Sequence, residues 1–257
     1  MVAALASASD ISAVSLSERW QDDQRRFYDA TAARYSEQFQ DANPYFRFVL
    51  EHFLAAVAPK PRERILEFGS SGGRFTVPLL ERGCQVTGVD ISPKTLAYLG
   101  ERVASHPRRA DLTLVEDDVS ALRHLGPAEF DAVVGGHILH HVPDVAAVLR
   151  QARARVRRGG RVVFVEPNPW NPQWLVHLAI HPLRSWRIER GVYRMWPERV
   201  RVAFLDAGFA TCTVVPFGCF PPFVLNLLPL ATRVERALER HRPVARFFTL
   251  NLFVAAA

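Results

Sequence analysis

The sequence predicts an α/β protein built on a doubly wound, mostly parallel sheet. Two observations carry that reading. Short apolar strands alternate with helical segments from Arg64 to Val165, and strands separated by helices pair in parallel. A turn of small residues, Gly69 to Gly73, follows the first strand where this architecture binds ligands. Composition agrees: 49% of the 257 residues are apolar and 23% charged, enough for a sizeable core.

Ser17 to Gln40 reads as a helix, with Trp20, Phe27, Tyr28, Tyr35 and Phe39 set among polar residues, and Asn43-Pro44 ends it. Tyr45 to Ala58 is a second helix, stopped at Pro59-Lys60-Pro61. These residues, 1–60, form a helical lead-in and cap, ahead of a main domain over 61–257. Arg64 to Phe68 is a buried strand, and a helix from about Phe75 to Arg82 follows the small-residue turn. Gln85 to Val89 is a strand ending in Asp90, Pro93 to Ser105 a helix, and Leu112 to Glu116 a strand. Phe130 to Val134 is a strand after the Gly126-Pro127 break. Val145 to Arg157 is an amphipathic helix with Val145, Val148, Leu149 and Val156 on its apolar side. Gly159-Gly160 stops it, and Arg161 to Val165 is a strand.

Beyond Glu166 the alternation is lost. Residues 167–196 and 217–246 read as insertions, the first rich in Trp, Pro, His and Arg. A helix over Glu198 to Ala207 and strands over Thr211 to Val215 and Phe247 to Val254 complete seven strands. Ala207 to Thr232 carries no charged side chain and is long enough to span a bilayer. Its glycines and prolines would break a spanning helix, so a strand, a loop and a short helix are expected, with a basic helix near Thr232 to Arg240 after them.

The net charge of +6 gives a mildly basic surface. That suits an anionic ligand, a membrane surface or nucleic acid. The basic residues are dispersed and no nucleic-acid reader motif accompanies them, so no nucleic-acid partner is expected. Cys84, Cys212 and Cys219 form no C-x-x-C pair. A disulfide framework or zinc site is not expected, and a cytoplasmic location is. Met1 to Ala13 lacks a basic n-region and reads as a disordered lead-in rather than a signal peptide.

The chemistry concentrates in Ile65-Leu66-Glu67-Phe68-Gly69-Ser70-Ser71-Gly72-Gly73-Arg74-Phe75. Glycines there let the backbone approach a ligand. Asp90 lies 21 residues after Gly69, a separation at which an acid can accept from both ribose hydroxyls. Turn, spacing and acid together indicate a nucleoside-containing ligand. A nucleotide-dependent oxidoreductase would carry G-x-G-x-x-G, which is absent. Glu67, two residues before Gly69, would repel a pyrophosphate but can hold an ammonium group.

The run from Ile65 to Ser92 resembles motif I and its acidic successor in the class I methyltransferases, which take their methyl group from S-adenosylmethionine. Phe130 to Asp144, with His137-Ile-Leu-His140-His141-Val-Pro-Asp144, looks like the segment around their fourth strand. Arg157 to Glu166 resembles the turn into their fifth, and Asp117-Asp118-Val119 the segment that meets the adenine. The resemblance covers about Tyr28 to Phe217 with gaps, and implies a seven-stranded sheet with an antiparallel last strand. It implies that Glu67 positions the methionine end, that Gly69, Ser70 and Gly73 give backbone contact and room, and that Asp90 holds the ribose. Ile91 and Val119 would meet the adenine, with Asp118 accepting from its amino group, and Gly136 would lie near the methionine portion. The departure is Ser71, where the family has glycine. Helices before the first strand often close over the cofactor in such proteins, which brings in Tyr28 and Tyr35, one heptad apart.

His137, His140 and His141 admit three readings: base, metal ligands or packing. Imidazole titrates near neutrality, so His137 and His140 are the candidate catalytic bases. No carboxylate or cysteine completes a ligand set in the neighbouring sequence, and no metal is expected. Glu166, Asn168, Trp170, Trp174, Tyr193 and Trp196 are candidate acceptor contacts. Apolar residues beside a basic helix in 217–246 suggest a medium-sized hydrophobic acceptor, such as a quinone or lipid precursor, and possible peripheral membrane contact. A cyclase or scaffold that binds the cofactor without methylating is the alternative. The reacting atom and the oligomeric state do not follow from the sequence.

Overall fold

The computed structural model describes residues 8–37, 43–126, 129–173, 186–228, 230–240 and 247–257. Helix α1 (Ala8–Glu37) precedes α2 (Pro44–Val57). Then come β1 (Arg64–Phe68), α3 (Thr76–Glu81), β2 (Gln85–Asp90), α4 (Pro93–Arg102) and β3 (Leu112–Glu116). They are followed by β4 (Phe130–Gly136), α5 (Val145–Arg155) and β5 (Val156–Pro167). The remaining elements are α6 (Trp186–Glu189), α7 (Pro197–Asp206), β6 (Thr211–Phe217), α8 (Pro222–Leu227), α9 (Ala231–Leu238) and β7 (Leu250–Ala256).

The seven strands form one sheet in the order β3-β2-β1-β4-β5-β7-β6. Strands β1 to β5 pair in parallel, and β7 runs antiparallel to both β5 and β6. Strand β6 therefore points the same way as β1 to β5. The loops after β1, β2, β4, β5 and β6 all leave from one edge of the sheet.

Helices cover both faces, so the central strands are apolar on both sides. Ile65 packs into a core with Phe46, Phe53 and Val57 of α2, Leu79 of α3 and Leu99 of α4. Its neighbours Leu66 and Phe68 pack into a second core with Val148 and Leu149 of α5 and Phe204 of α7. That alternation is the two-residue period of a strand. Helix α2 is thus part of the sheet's own packing. It starts at Pro44 behind Asn43, whose side chain accepts from the Phe46 N–H at 3.3 Å.

The largest boundary differences from the sequence reading lie at the start of α1 and at the junction of α5 with β5. Helix α1 begins at Ala8 rather than Ser17. Helix α5 ends at Arg155, and Gly159-Gly160 lies inside β5. There β5 advances from Val156 to Arg161 while β4 advances only from Phe130 to Ala132, so the pair is a bulged ladder rather than a stop. The charge-free stretch resolves into β6, a loop and α8. Among the described residues no helix is long and apolar enough to cross a membrane.

Candidate functional site

The main cleft opens at the edge where β1, β2 and β4 end, with an empty volume of about 1170 Å³, mouth included. It is lined from β1 and its turn by Glu67, Gly69, Ser70, Ser71 and Gly72, and from the end of β2 by Asp90 and Ile91. Asp118 and Val119 contribute after β3, Gly136 and His137 at the end of β4, and Gln21, Gln24 and Tyr28 from α1. These residues span the chain from position 21 to 143, and the parallel topology brings them to one edge.

The turn is built from backbone constraints. Gly69 has φ +70°, a left-handed conformation that glycine adopts without cost, and a Cβ there would press on Ile138. Ser71 takes φ +44° with a full side chain. Its N–H donates to Asp90 Oδ2 at 2.9 Å. Gly72 is tied from its carbonyl to Arg102 at 2.7 Å. The left-handed backbone at Ser71 is one that glycine adopts without the cost of a Cβ. Replacing Ser71 with Gly is expected to raise stability by about 0.5–1 kcal/mol, the strain relieved less the added unfolded-state entropy. A thermal melt should rise by roughly 1–4 °C, and a fall would show that the serine side chain supports the turn.

Two carboxylates face each other across this turn. Glu67 is buried and accepts from Thr76 Oγ1 at 2.6 Å. Burial pushes its pKa up to about 8, the Thr76 hydroxyl pulls it down, and the Asp90 charge adds to the rise. Asp90 accepts from the Ser71 and Ser92 N–H groups, both at 2.9 Å. Burial raises its pKa, and those backbone amides pull the other way. The Thr95 hydroxyl and the Ile91 N–H act on Asp90 in the same direction as those amides.

Glu67, Asp90, Ser70 and Gly136 together test the fit of S-adenosylmethionine. Glu67 suits the amino group and Asp90 the ribose hydroxyls. Ser70 Oγ is buried on the cleft wall and has no hydrogen-bond partner among the described residues. A Cβ on Gly136 would meet the Phe75 ring at 2.0 Å, so only glycine keeps that wall thin. The residues present fit the cofactor.

A family model described as a methyltransferase domain matches residues 35–214, more than half of the chain. The chain belongs to the S-adenosylmethionine-dependent methyltransferase family. Among curated proteins, a ubiquinone biosynthesis O-methyltransferase of Paracidovorax citrulli is 35% identical over 114 residues, which are 44% of this chain and 47% of that one. The protein of the same name from Stutzerimonas stutzeri is 27% identical over 158 residues, 60% of this chain and 61% of its own. This methyltransferase-family chain spans about half the length of the first curated relatives it matches. Among solved structures, an S-adenosylmethionine-dependent methyltransferase from Archaeoglobus fulgidus superposes with a TM-score of 0.62 at 17% identity, covering 87% of this chain and 98% of that one. A Haemonchus contortus phosphoethanolamine N-methyltransferase in complex with S-adenosyl-L-methionine gives 0.62 at 20% identity, covering 90% and 59%. These structures establish the family fold, including the antiparallel last strand.

The histidine segment follows β4. His137 lies on the cleft wall with φ +58°, its N–H donating to Val165 O at 2.7 Å. His140 also borders the cleft, but its ring is buried between two buried carboxylates. Nδ1 lies 2.6 Å from Glu166 Oε2 and Nε2 3.4 Å from Glu189 Oε2. Burial alone would lower the His140 pKa; the charges and hydrogen bonds of Glu166 and Glu189 overrule it and hold it at about 9. A ring that keeps its proton at neutral pH is poorly placed to accept one, so the structure moves His140 from base to cation. The Tyr28 hydroxyl lies 2.9 Å from His141 Nε2, within hydrogen-bond distance.

Glu189 also supplies the carboxylate that the local sequence lacked. Its oxygen and the nitrogens of His140 and His141 lie within 4.8 Å of one another. On its other nitrogen the His140 ring is held by Glu166, so it pairs with a buried carboxylate on each side.

The acceptor candidates are placed differently from the sequence reading. Glu166 is fully buried behind the cleft. Its Oε1 accepts from the Ile138 and Leu139 N–H groups at 2.9 and 2.7 Å, so it fixes the histidine loop instead of meeting an acceptor. Asn168 is buried and donates to Phe248 O at 2.7 Å. Trp170 is half exposed and packs edge-on against Trp196, centroids 4.9 Å apart. Tyr193 packs on Trp186 at 5.2 Å. Asn168, Trp170, Tyr193 and Trp196 do not line the main cleft. Trp174 lies outside the described residues, as does the side chain of Tyr35 in α1.

Helix α1 lies over the cleft. Trp20 Nε1 donates to His141 O at 2.6 Å, and Gln24 Nε2 to Ile188 O at 3.0 Å. Gln21 Nε2 reaches Asp118 Oδ2 at 2.5 Å. Ser92 Oγ donates to Asp29 at 2.6 Å. Arg190 and Arg194 sit over the Trp20 ring, 4.1 and 4.7 Å from its centroid. The sequence reading missed Gln21 and Gln24, although their spacing with Tyr28 puts all three on one helical face.

Proposed function

We propose that this protein transfers the methyl group of S-adenosylmethionine to a medium-sized hydrophobic small molecule. The observation that carries the donor half is the pairing of buried Glu67 and Asp90 across the Gly69 to Gly73 turn. When bound, S-adenosylmethionine supplies an activated, electrophilic methyl group. Glu67 holds the ammonium group and Asp90 the ribose hydroxyls. Ile91 and Val119 pack on the adenine, with Asp118 in reach of its amino group. Gly136 leaves room beside the methionine portion, and α1 keeps water from the cleft. His137, on the cleft wall, takes the proton from an acceptor hydroxyl. Much of the rate comes from holding the acceptor in line and dry.

The hydrophobic acceptor is favoured by two supports: the apolar wall of Phe75, Ile138 and Val142 in the cleft, and the ubiquinone-pathway names of the curated relatives. A quinol-type hydroxyl is the acceptor of first choice. Incubating the protein and S-adenosylmethionine with a panel of prenylated catechols, fatty alcohols, polar amines and tRNA, and measuring S-adenosylhomocysteine by mass spectrometry, tests this. Product only with a polar amine or tRNA would overturn the acceptor. Tight binding with no product from any acceptor would favour a scaffold.

Glu67 makes the donor half testable without an acceptor. Its pKa of about 8 leaves the carboxyl protonated at pH 7, while an ammonium partner requires the ionised form. Binding S-adenosylhomocysteine at pH 7 should therefore release close to one proton, and affinity should rise with pH until about 8. Calorimetry in buffers of different ionisation enthalpy reads the proton directly. No release at pH 7 would remove Glu67 from the ammonium site.

A further inference from the structure

The elements after β6 carry a surface that the methyl-transfer cleft does not use. Phe223, Leu227 and Leu228 of the α8 segment, and Leu230 and Val234 at α9, are all exposed, Leu227 by 75% and Leu230 by 68%. A single exposed leucine is ordinary, but five large apolar side chains within twelve residues make a patch. Phe223 and Leu227 are one helical turn apart, as are Leu230 and Val234, so each pair shares a face.

The charges on α9 are sorted. Glu235 is buried and accepts from the Cys219 N–H and, at 2.8 Å, the Phe220 N–H. Glu239 accepts from the Gly218 N–H at 3.2 Å and lies 3.1 Å from His52 Nε2. Both acids are spent inward. Arg233, Arg236 and Arg240 face outward. Arg236 pairs with Glu51 of α2, whereas Arg233 and Arg240 make no ion pair among the described residues.

We propose that this α8–α9 surface docks the protein on an anionic lipid bilayer. Its leucines and phenylalanine enter the boundary between headgroups and acyl chains, and its arginines meet lipid phosphates. The charge pattern favours a bilayer over a second copy of the chain. A two-fold contact through this patch would set arginines near arginines. Because β6 runs parallel to β5, the patch leaves from the same sheet edge as the cleft. A docked protein presents that edge to the membrane, where a hydrophobic acceptor resides. The purpose of docking rests on the hydrophobic-acceptor reading; docking itself is measured without an acceptor.

The test is cosedimentation with vesicles of phosphatidylglycerol in phosphatidylcholine, against pure phosphatidylcholine. The protein should pellet with the anionic vesicles at low salt, release as salt rises, and stay in solution with the neutral ones. Arg233→Glu with Arg240→Glu should weaken binding by about fivefold or more for each arginine removed. Leu227→Asp with Leu230→Asp should weaken it about tenfold or more. These side chains are exposed, so both variants should keep the wild-type melting temperature and S-adenosylhomocysteine affinity. A wild-type protein that stays in solution with anionic vesicles at low salt overturns the inference. So does a dimer that Leu227→Asp with Leu230→Asp dissociates. Methylation of a detergent-dispersed hydrophobic acceptor without vesicle binding would sink docking alone. Vesicle binding without any such methylation would sink the acceptor assignment alone.

Discussion

Replacing His140 with leucine is expected to cost about 3–5 kcal/mol of folding stability, because it removes the buried cation that Glu166 and Glu189 share. Glu166 and Glu189 flank the ring at 2.6 and 3.4 Å, and all three side chains are buried. Leucine fills much of the volume, so little of the loss is cavity. The pH dependence separates charge from packing. His140 in the folded protein has a pKa of about 9, raised above the 6.5 of a free histidine. The pair's stabilisation is therefore fully present below pH 6.5 and is lost as pH rises through 9. Urea melts at pH 6 and pH 9.5 should show a large gap between wild type and variant at the lower pH and a narrower one at the higher. A gap that is small at both would remove the ion pair from the account of this loop.

The second large effect is on binding. Asp90→Ala should weaken S-adenosylhomocysteine binding by roughly 1–3 kcal/mol, the worth of hydrogen bonds to a charged acceptor. Asp90 also receives the Ser71 and Ser92 N–H groups. The variant therefore loses part of the turn as well as the ribose contact, and a thermal melt of the unliganded protein apportions the two. Calorimetry should show the affinity falling about five- to 150-fold, with NAD undetectable in either protein. Tight NAD binding by the wild type would contradict the donor site.

The elements with strong local signals were legible in the sequence. Strand β3 and helix α2 lie within a residue or two of where pattern and breakers put them. The turn from Gly69 to Gly73 and the acid at Asp90 are contiguous features whose spacing carries the chemistry. The ion pair was not legible. Glu189 reaches His140 from the end of the short helix α6, 49 residues away, and no local period encodes that meeting. The same holds for Glu166, which reads as a strand-end acid open to ligand until the backward turn of the histidine loop covers it. Trp170 and Trp196 looked like a pocket wall because aromatic clusters so often are, yet their contact is with each other at the surface. The positive φ of Ser71 was invisible in composition, although the departure from glycine marked its position.

Helix α1 has a kinetic consequence. Trp20, Gln21, Gln24, Tyr28 and Asp29 bind it to four separate segments: the loop after β3, the histidine loop, the start of α4, and α6. No one of these tethers is strong, but they share one rigid helix and break together. If cofactor exchange requires α1 to lift from the cleft, that exchange is a local opening with its own free energy. Where such an opening is slower than the chemistry, it sets the turnover number. The clock of this enzyme would then lie in a helix that touches no reacting atom.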